Sequence, residues 1–304
     1  MVTHDMEEYR QFTGPQELHK AVNMLRGMVA GISIDGTLSD AETLELNHWC
    51  SLHANLRNRH PFTELIPAVE RALMDGVIDP EEKANILWLC RNIEEPVPYY
   101  DLVTSAIQYL NGLVHGILAD GDLSDDEIRA LRGWLDDTEA LAGTYPFDEL
   151  NSLTAAILSD GKISEDERKT LMAFLGTIVE FKDSYNLSEN EFKALRDQYS
   201  VKGICAFCPE IEFEGKVFAF TGESYRAKRA EIFADIEQLG GIPRSGVTKK
   251  TDYLIVGNAG NPCWAYACYG RKIEEAIQLR KEGAKVQIIN ETDFWDAAMD
   301  AGIE

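Results

Sequence analysis

Positive charge is scarce in this sequence. Its 304 residues carry 29 Lys+Arg against 52 Asp+Glu, a formal net charge of −23. Proteins that coat DNA without regard to sequence grip phosphates through a basic surface, so this balance argues against that class. Long apolar runs are missing too, and none approaches the roughly 18–20 residues of a membrane span. The opening residues, Met1-Val2-Thr3-His4-Asp5-Met6-Glu7-Glu8, are acidic and hold no apolar h-region, which argues against a secretory signal. Cysteine is sparse, six in all, and without a signal these thiols are expected to stay reduced. A soluble cytoplasmic protein is the expectation. Histidine is also thin (His4, His19, His48, His53, His60 and His115), and no nucleophile–base constellation stands out. What is present is core-forming material: 45% of the residues are hydrophobic, and the length suggests about two domains.

An acidic motif, Asp-Gly-x-(Leu/Ile)-(Ser/Asp)-x-x-Glu, begins at Asp35, Asp75, Asp120 and Asp160. Alternate copies lie 85 residues apart, and the same offset maps Leu25 to Leu110, Gly27 to Gly112, Gly31 to Gly116 and Trp49 to Trp134. It also maps His60-Pro61-Phe62 to Tyr145-Pro146-Phe147. A duplicated unit over about 16–95 and 101–178 follows, each half made of two helix–turn–helix pairs. Ahead of the first motif, Leu18, Val22, Leu25, Val29 and Ile32 recur as a helix face does. Asp-Gly then stops the helix, because glycine tolerates the left-handed conformation of a C-cap. Ser39 with Glu42, Ser124 with Glu127, and Ser164 with Glu167 form S-x-x-E boxes that start the next helix, while Asp79-Pro80 with Glu82 serves the second copy.

The motif also matches positions 5 to 12 of an EF-hand loop, but positions 1 and 3 fall at Gly31 and Ser33, Arg71 and Leu73, Gly116 and Leu118, and Ala156 and Leu158. None is a carboxylate, so a full EF-hand is rejected. Helix capping is the primary role of these turns. The alternative is a divalent cation, Ca or Mg, for which Asp120, Asp122, Asp125, Asp126 and Glu127 crowd together as candidates. This acidic duplicated pattern resembles the tellurite-resistance TerB-like helical family over about 16–178. The resemblance implies an association with stress responses and acidic metal-binding clusters.

Residues 179–200 predict one or two further helices. Cys205-Ala206-Phe207-Cys208 follows, and Cys263 and Cys268 would complete a four-cysteine zinc set if the fold gathered them. Separate, partly buried thiols are the other reading, and Cys50 and Cys90 lie on apolar helix faces. From 211 onward the period changes. Strands are predicted over 216–220, 251–257 and 286–289, helices over 227–239 and 270–281, and a last helix around Phe294-Trp295. Strands alternating with helices point to a small parallel α/β sheet.

The order Gly215-Lys216-Val217-Phe218-Ala219-Phe220-Thr221-Gly222, then Leu239-Gly240-Gly241, then Thr248 to Gly257, then Phe294-Trp295 resembles a BRCT domain. It is most similar to the bacterial kind found at the end of NAD-dependent DNA ligases. The resemblance implies a four-stranded parallel sheet, and in phosphate-binding members a Ser or Thr and a Gly amide after the first strand meet a Lys at the start of the second helix. Here those are Thr221, Gly222 and Lys272, with Arg226 and Lys228 as added charge. The alternative is that Thr221 caps a turn and Lys272 is a solvated helix residue. The loop 258–269, with Trp264, Tyr266 and Tyr269, is longer than in the ligase form and either stacks on a ligand or packs on the domain.

An adenylating ligase needs Lys-x-Asp-Gly, yet the residues two before the four Asp-Gly sites are Ser33, Leu73, Leu118 and Leu158. No enzyme activity is expected. The predicted organisation is multidomain: an acidic all-α domain over 1–200, a linker with CxxC over 201–210, and a BRCT domain over 211–304. The expected function is recognition, with the BRCT domain taking a phosphorylated DNA end or a protein partner in replication or repair. The helical domain would recruit partners or cations. A TerB-like stress-response or metal-sensing protein, using BRCT for association, is the rival. The charge divides unevenly: residues 210–304 hold 12 Lys+Arg and 16 Asp+Glu, net −4, and the rest hold 17 and 36, net −19.

Overall fold

The structure is a computed structural model and describes residues 4–32, 38–74, 76–92, 102–199, 205–206, 208–257 and 271–303. Helices come first: α1 (His4–Gly31), α2 (Asp40–Leu52), α3 (Phe62–Ala72), α4 (Pro80–Asn92), α5 (Leu102–Ile117), α6 (Asp125–Asp137), α7 (Phe147–Leu158), α8 (Glu165–Leu175) and α9 (Glu189–Gln198). Then come β1 (Val217–Thr221), α10 (Arg229–Gln238), β2 (Ile242–Arg244), β3 (Tyr253–Val256), α11 (Arg271–Lys281), β4 (Gln287–Asn290) and α12 (Glu291–Asp300). An all-α region followed by a parallel α/β region is the architecture the sequence predicts. Among the described residues, no helix is long and apolar enough to cross a membrane. The chain divides into two compact units, Met1–Ala130 with Leu175–Lys193, and Leu131–Phe174 with Ala194–Glu304.

The repeated motif sets the helix boundaries. The hydroxyls of Ser39, Ser124 and Ser164 accept the N–H of the glutamate three residues on, at 3.1, 3.2 and 3.3 Å. Each glutamate carboxylate accepts the serine N–H in return. Asp79 and Glu82 make the same reciprocal pair. Two donors that a helix N-terminus leaves open are satisfied each time. Helices α2, α3 and α4 begin at 40, 62 and 80, and α6, α7 and α8 begin at 125, 147 and 165, so the 85-residue offset runs through all three pairs.

In the first unit, α1 and α5 cross with their backbones in near contact. A Cβ added to Gly27 would lie 2.0 Å from the carbonyl oxygen of Tyr109, and one added to Gly112 would lie 2.0 Å from that of Met24. Only glycine fits at such a distance. Asn23 Nδ2 donates to Gln108 Oε1 at 2.9 Å between the same two helices. Leu25, Ile32, Leu46, Trp49, Phe62 and Leu65 build the surrounding core, and Trp49 Nε1 donates to the Ala21 carbonyl at 3.2 Å.

In the second unit, the sheet runs in the order β2-β1-β3-β4 with all neighbours parallel. Phe218 lies opposite Pro243 on one side and Tyr253 on the other. The core collects Phe218, Phe220, Ile232, Ile236, Ile255, Phe294 and Trp295. The sequence pattern does not reveal β2, which has three residues and contains Pro243. An edge position tolerates the missing N–H. At the other edge, Ala206 N donates to the Ile288 carbonyl at 2.6 Å, so part of the predicted linker lies along β4. Arg280 on α11 is buried. Its guanidinium meets Asp148 (2.8 Å) and Glu149 on α7, and its Nε donates to the Val286 carbonyl.

Candidate phosphate-binding site

Strand order reverses between β1 and β3. β1 leads through α10 to β2 on one flank, and β3 leads on through α11 to β4 on the other. In an open parallel sheet, the carboxyl ends of the strands at such a reversal bound a crevice where ligands settle. Thr221 ends β1 there and Gly257 follows β3; Gly257 N donates to the Thr221 carbonyl at 2.9 Å. Gly222 has φ +82°, and a Cβ on Gly257 would lie 2.3 Å from the Glu223 carbonyl oxygen. The two turns approach so closely that backbone rather than side chain lines this end of the sheet.

Lys272 lies in the first turn of α11, and its Nζ donates to the Phe220 carbonyl at 2.8 Å, next to Thr221. Burial pushes the lysine below its ordinary pKa, the Arg229 charge pushes it the same way, and Glu275 opposes. Arg229 opens α10, with its guanidinium 5.6 Å over the Phe220 ring. Sequence reasoning does not single out Arg229; the available signal is its place at the start of the helix after the β1 turn, where backbone donors also favour anions. Arg226 stacks its guanidinium 4.6 Å over the Trp295 ring. Lys228 precedes α10 with an exposed side chain, and its N–H goes to Glu231 at 2.8 Å.

The five carboxylates of the acidic turn are engaged locally. Asp120 accepts from Asp122 N at 2.9 Å, Asp122 from Leu123 N at 2.8 Å, and Glu127 completes the cap with Ser124. Asp126 and Asp125 face Arg129 at 3.0 and 3.6 Å. Burial pushes the Glu127 carboxyl up, and the charges of Asp120 and Glu42 act in the same direction against the Ser124 bonds. Among the described residues, no three of His, Cys, Asp and Glu are grouped to hold a metal ion. Cys205 is buried, and its thiol is pushed up to about 12 by burial and the Asp293 charge. Cys208 is exposed. Cys263 and Cys268, the loop 258–269 with Trp264, Tyr266 and Tyr269, and the motif residues Asp35 and Asp75 lie outside the described residues.

Residues 208–292 match the family model of the BRCA1 C Terminus (BRCT) domain. This C-terminal segment is a BRCT domain, similar to a segment of several DNA ligases. The DNA ligase of Endomicrobium trichonymphae is 34% identical over 104 residues, 32% of this chain and 13% of the ligase. That of Fervidobacterium nodosum is 40% identical over 91 residues, 30% of this chain and 11% of the ligase. That of Geobacter sulfurreducens is 35% identical over 82 residues, 27% and 10% of the two chains. The chain thus spans about a tenth of the length of these ligases, and the likeness is confined to the BRCT segment. No solved structure matches at comparable significance.

Proposed function

We propose that the BRCT domain binds the terminal 5′-phosphate of a DNA end, and that the protein is a non-enzymatic recognition factor in DNA replication or repair. One observation carries this reading. Lys272 holds its ammonium on the Phe220 carbonyl, beside Thr221 and Gly222, where burial first and the Arg229 charge second push its pKa down. A half-buried ammonium that feels a second positive charge is favoured by a nearby anion. A phosphate dianion accepts from a hydroxyl, a backbone amide, an ammonium and a guanidinium at once.

Charge favours the end of a duplex over its body. The net −19 outside the BRCT region repels a phosphate backbone, so the grip is local. The confinement of the ligase likeness to the BRCT segment supports a binding role rather than ligation. The acidic helical part would then engage basic partners or cations.

Binding of the full chain to otherwise identical duplexes, with and without a 5′-phosphate, tests the reading. The phosphorylated duplex is expected to bind at least about tenfold tighter, the worth of one or two charge-assisted bonds. Lys272→Ala is expected to erase the difference. Equal binding of both duplexes, unchanged in the variant, rejects the pocket. A phosphopeptide bound instead, and lost in the same variant, would assign the site to a protein ligand.

A further inference from the structure

Glu291 is the first residue of α12 and is fully buried, and its carboxylate faces the loop after β1. Ser224 Oγ and Trp295 Nε1 donate to its Oε1, the latter at 3.0 Å, and Tyr225 N donates to its Oε2 at 3.3 Å. The Ser224 hydroxyl in turn accepts from Arg226 N at 3.1 Å and Ala227 N at 3.0 Å. The donors from Ser224 to Ala227 therefore converge on one carboxylate, directly or through one hydroxyl. Trp295, which the same carboxylate holds, is the surface on which Arg226 stacks.

We propose that Glu291 is a positioning residue for phosphate recognition: it fixes the path of the loop between Gly222 and Arg229. This rests on the phosphate reading above. The loop joins the two ends of the site, Thr221 at the end of β1 with Gly222 after it, and Arg229 at the start of α10. Its path decides whether these face one anion together. The chemistry requires a carboxylate. Three donors, Ser224 Oγ, Trp295 Nε1 and Tyr225 N, meet Glu291, and a carboxylate accepts through both of its oxygens. A glutamine of the same size would turn its NH2 against the Tyr225 N–H or against the Ser224 and Trp295 donors. An apolar residue of similar volume would fill the space without burying a charge, but would leave the loop unheld.

The test measures, on the full chain, the ratio of affinities for 5′-phosphorylated and hydroxyl-ended duplex, beside thermal unfolding. In Glu291→Gln and in Ser224→Ala the ratio is expected to fall about tenfold while hydroxyl-ended binding stays unchanged. The double variant is expected to fall no further than the worse single one, because both break one network. A wild type that does not discriminate the duplexes sinks the phosphate reading, and this inference with it. A discriminating wild type whose folded variants keep its ratio overturns the positioning role alone. If Glu291→Gln does not fold, Ser224→Ala decides: an unchanged ratio there overturns the proposal.

Discussion

Lys272 gives the proposed site its expected pH behaviour. Burial and the Arg229 charge push the lysine down, so it loses its proton at lower pH than an ordinary lysine, whose pKa is about 10.4. A terminal phosphate gains its second negative charge near about pH 6. Preference for the phosphorylated duplex is therefore expected to rise through that pH, then fall on the alkaline side before an ordinary lysine would titrate. Affinity measured from about pH 5 to about pH 10 checks this, and Lys272→Arg is expected to remove the alkaline fall. Thr221, Gly222 and Lys272 were singled out through the resemblance to phosphate-binding BRCT domains, which places a hydroxyl, a Gly amide and a Lys at these positions. Arg229 was not. Whether it or its neighbours turn toward Phe220 depends on the rotation of α10, which local pattern does not specify.

Elements were legible where local chemistry starts and stops them. The reciprocal caps mark the starts of α2, α4, α6 and α8, and the 85-residue offset relates α2, α3 and α4 to α6, α7 and α8. β2 was not legible, because three residues including a proline carry no period of their own and pair only when β1 is beside them. The glycines of α1 and α5 were visible as matched positions, while the reason for them is tertiary. Gly27→Ala places a methyl against the Tyr109 carbonyl and is expected to destabilise by about 3 kcal/mol or more. Gly133 in α6 has open space around it, so Gly133→Ala is expected to stabilise by about 0.5–1 kcal/mol. Urea unfolding of the two variants separates a glycine required by packing from one that only loosens a helix.

At the scale of the whole molecule, the sequence separates an acidic helical part from a nearly neutral tail. The second compact unit nevertheless joins helix α7 to the sheet region through Arg280, Asp148 and Glu149. Asp148 and Arg280 are 132 residues apart, so no local pattern announces the pair. Burial pushes the Asp148 carboxyl up while Arg280 and Gly143 pull it back. A carboxyl raised in the folded state favours folding at low pH and loses that contribution as pH rises. Arg280→Met leaves two buried carboxylates without their cation and is expected to lose about 3 kcal/mol at neutral pH. The loss is expected to shrink near about pH 5, where protonation relieves the carboxylates. Denaturant unfolding at the two pH values measures both effects.

The bond from Ala206 to Ile288 bears on how the protein can be cut. It gives the outer rim of β4 a partner from the stretch just before the BRCT strands. A fragment beginning at residue 211 would lose that stretch and leave the Ile288 carbonyl at the outer edge of β4 without this partner. Such a rim recruits another chain. A shortened domain is therefore expected to self-associate, and the dimer it forms would be a product of the scissors rather than of the cell.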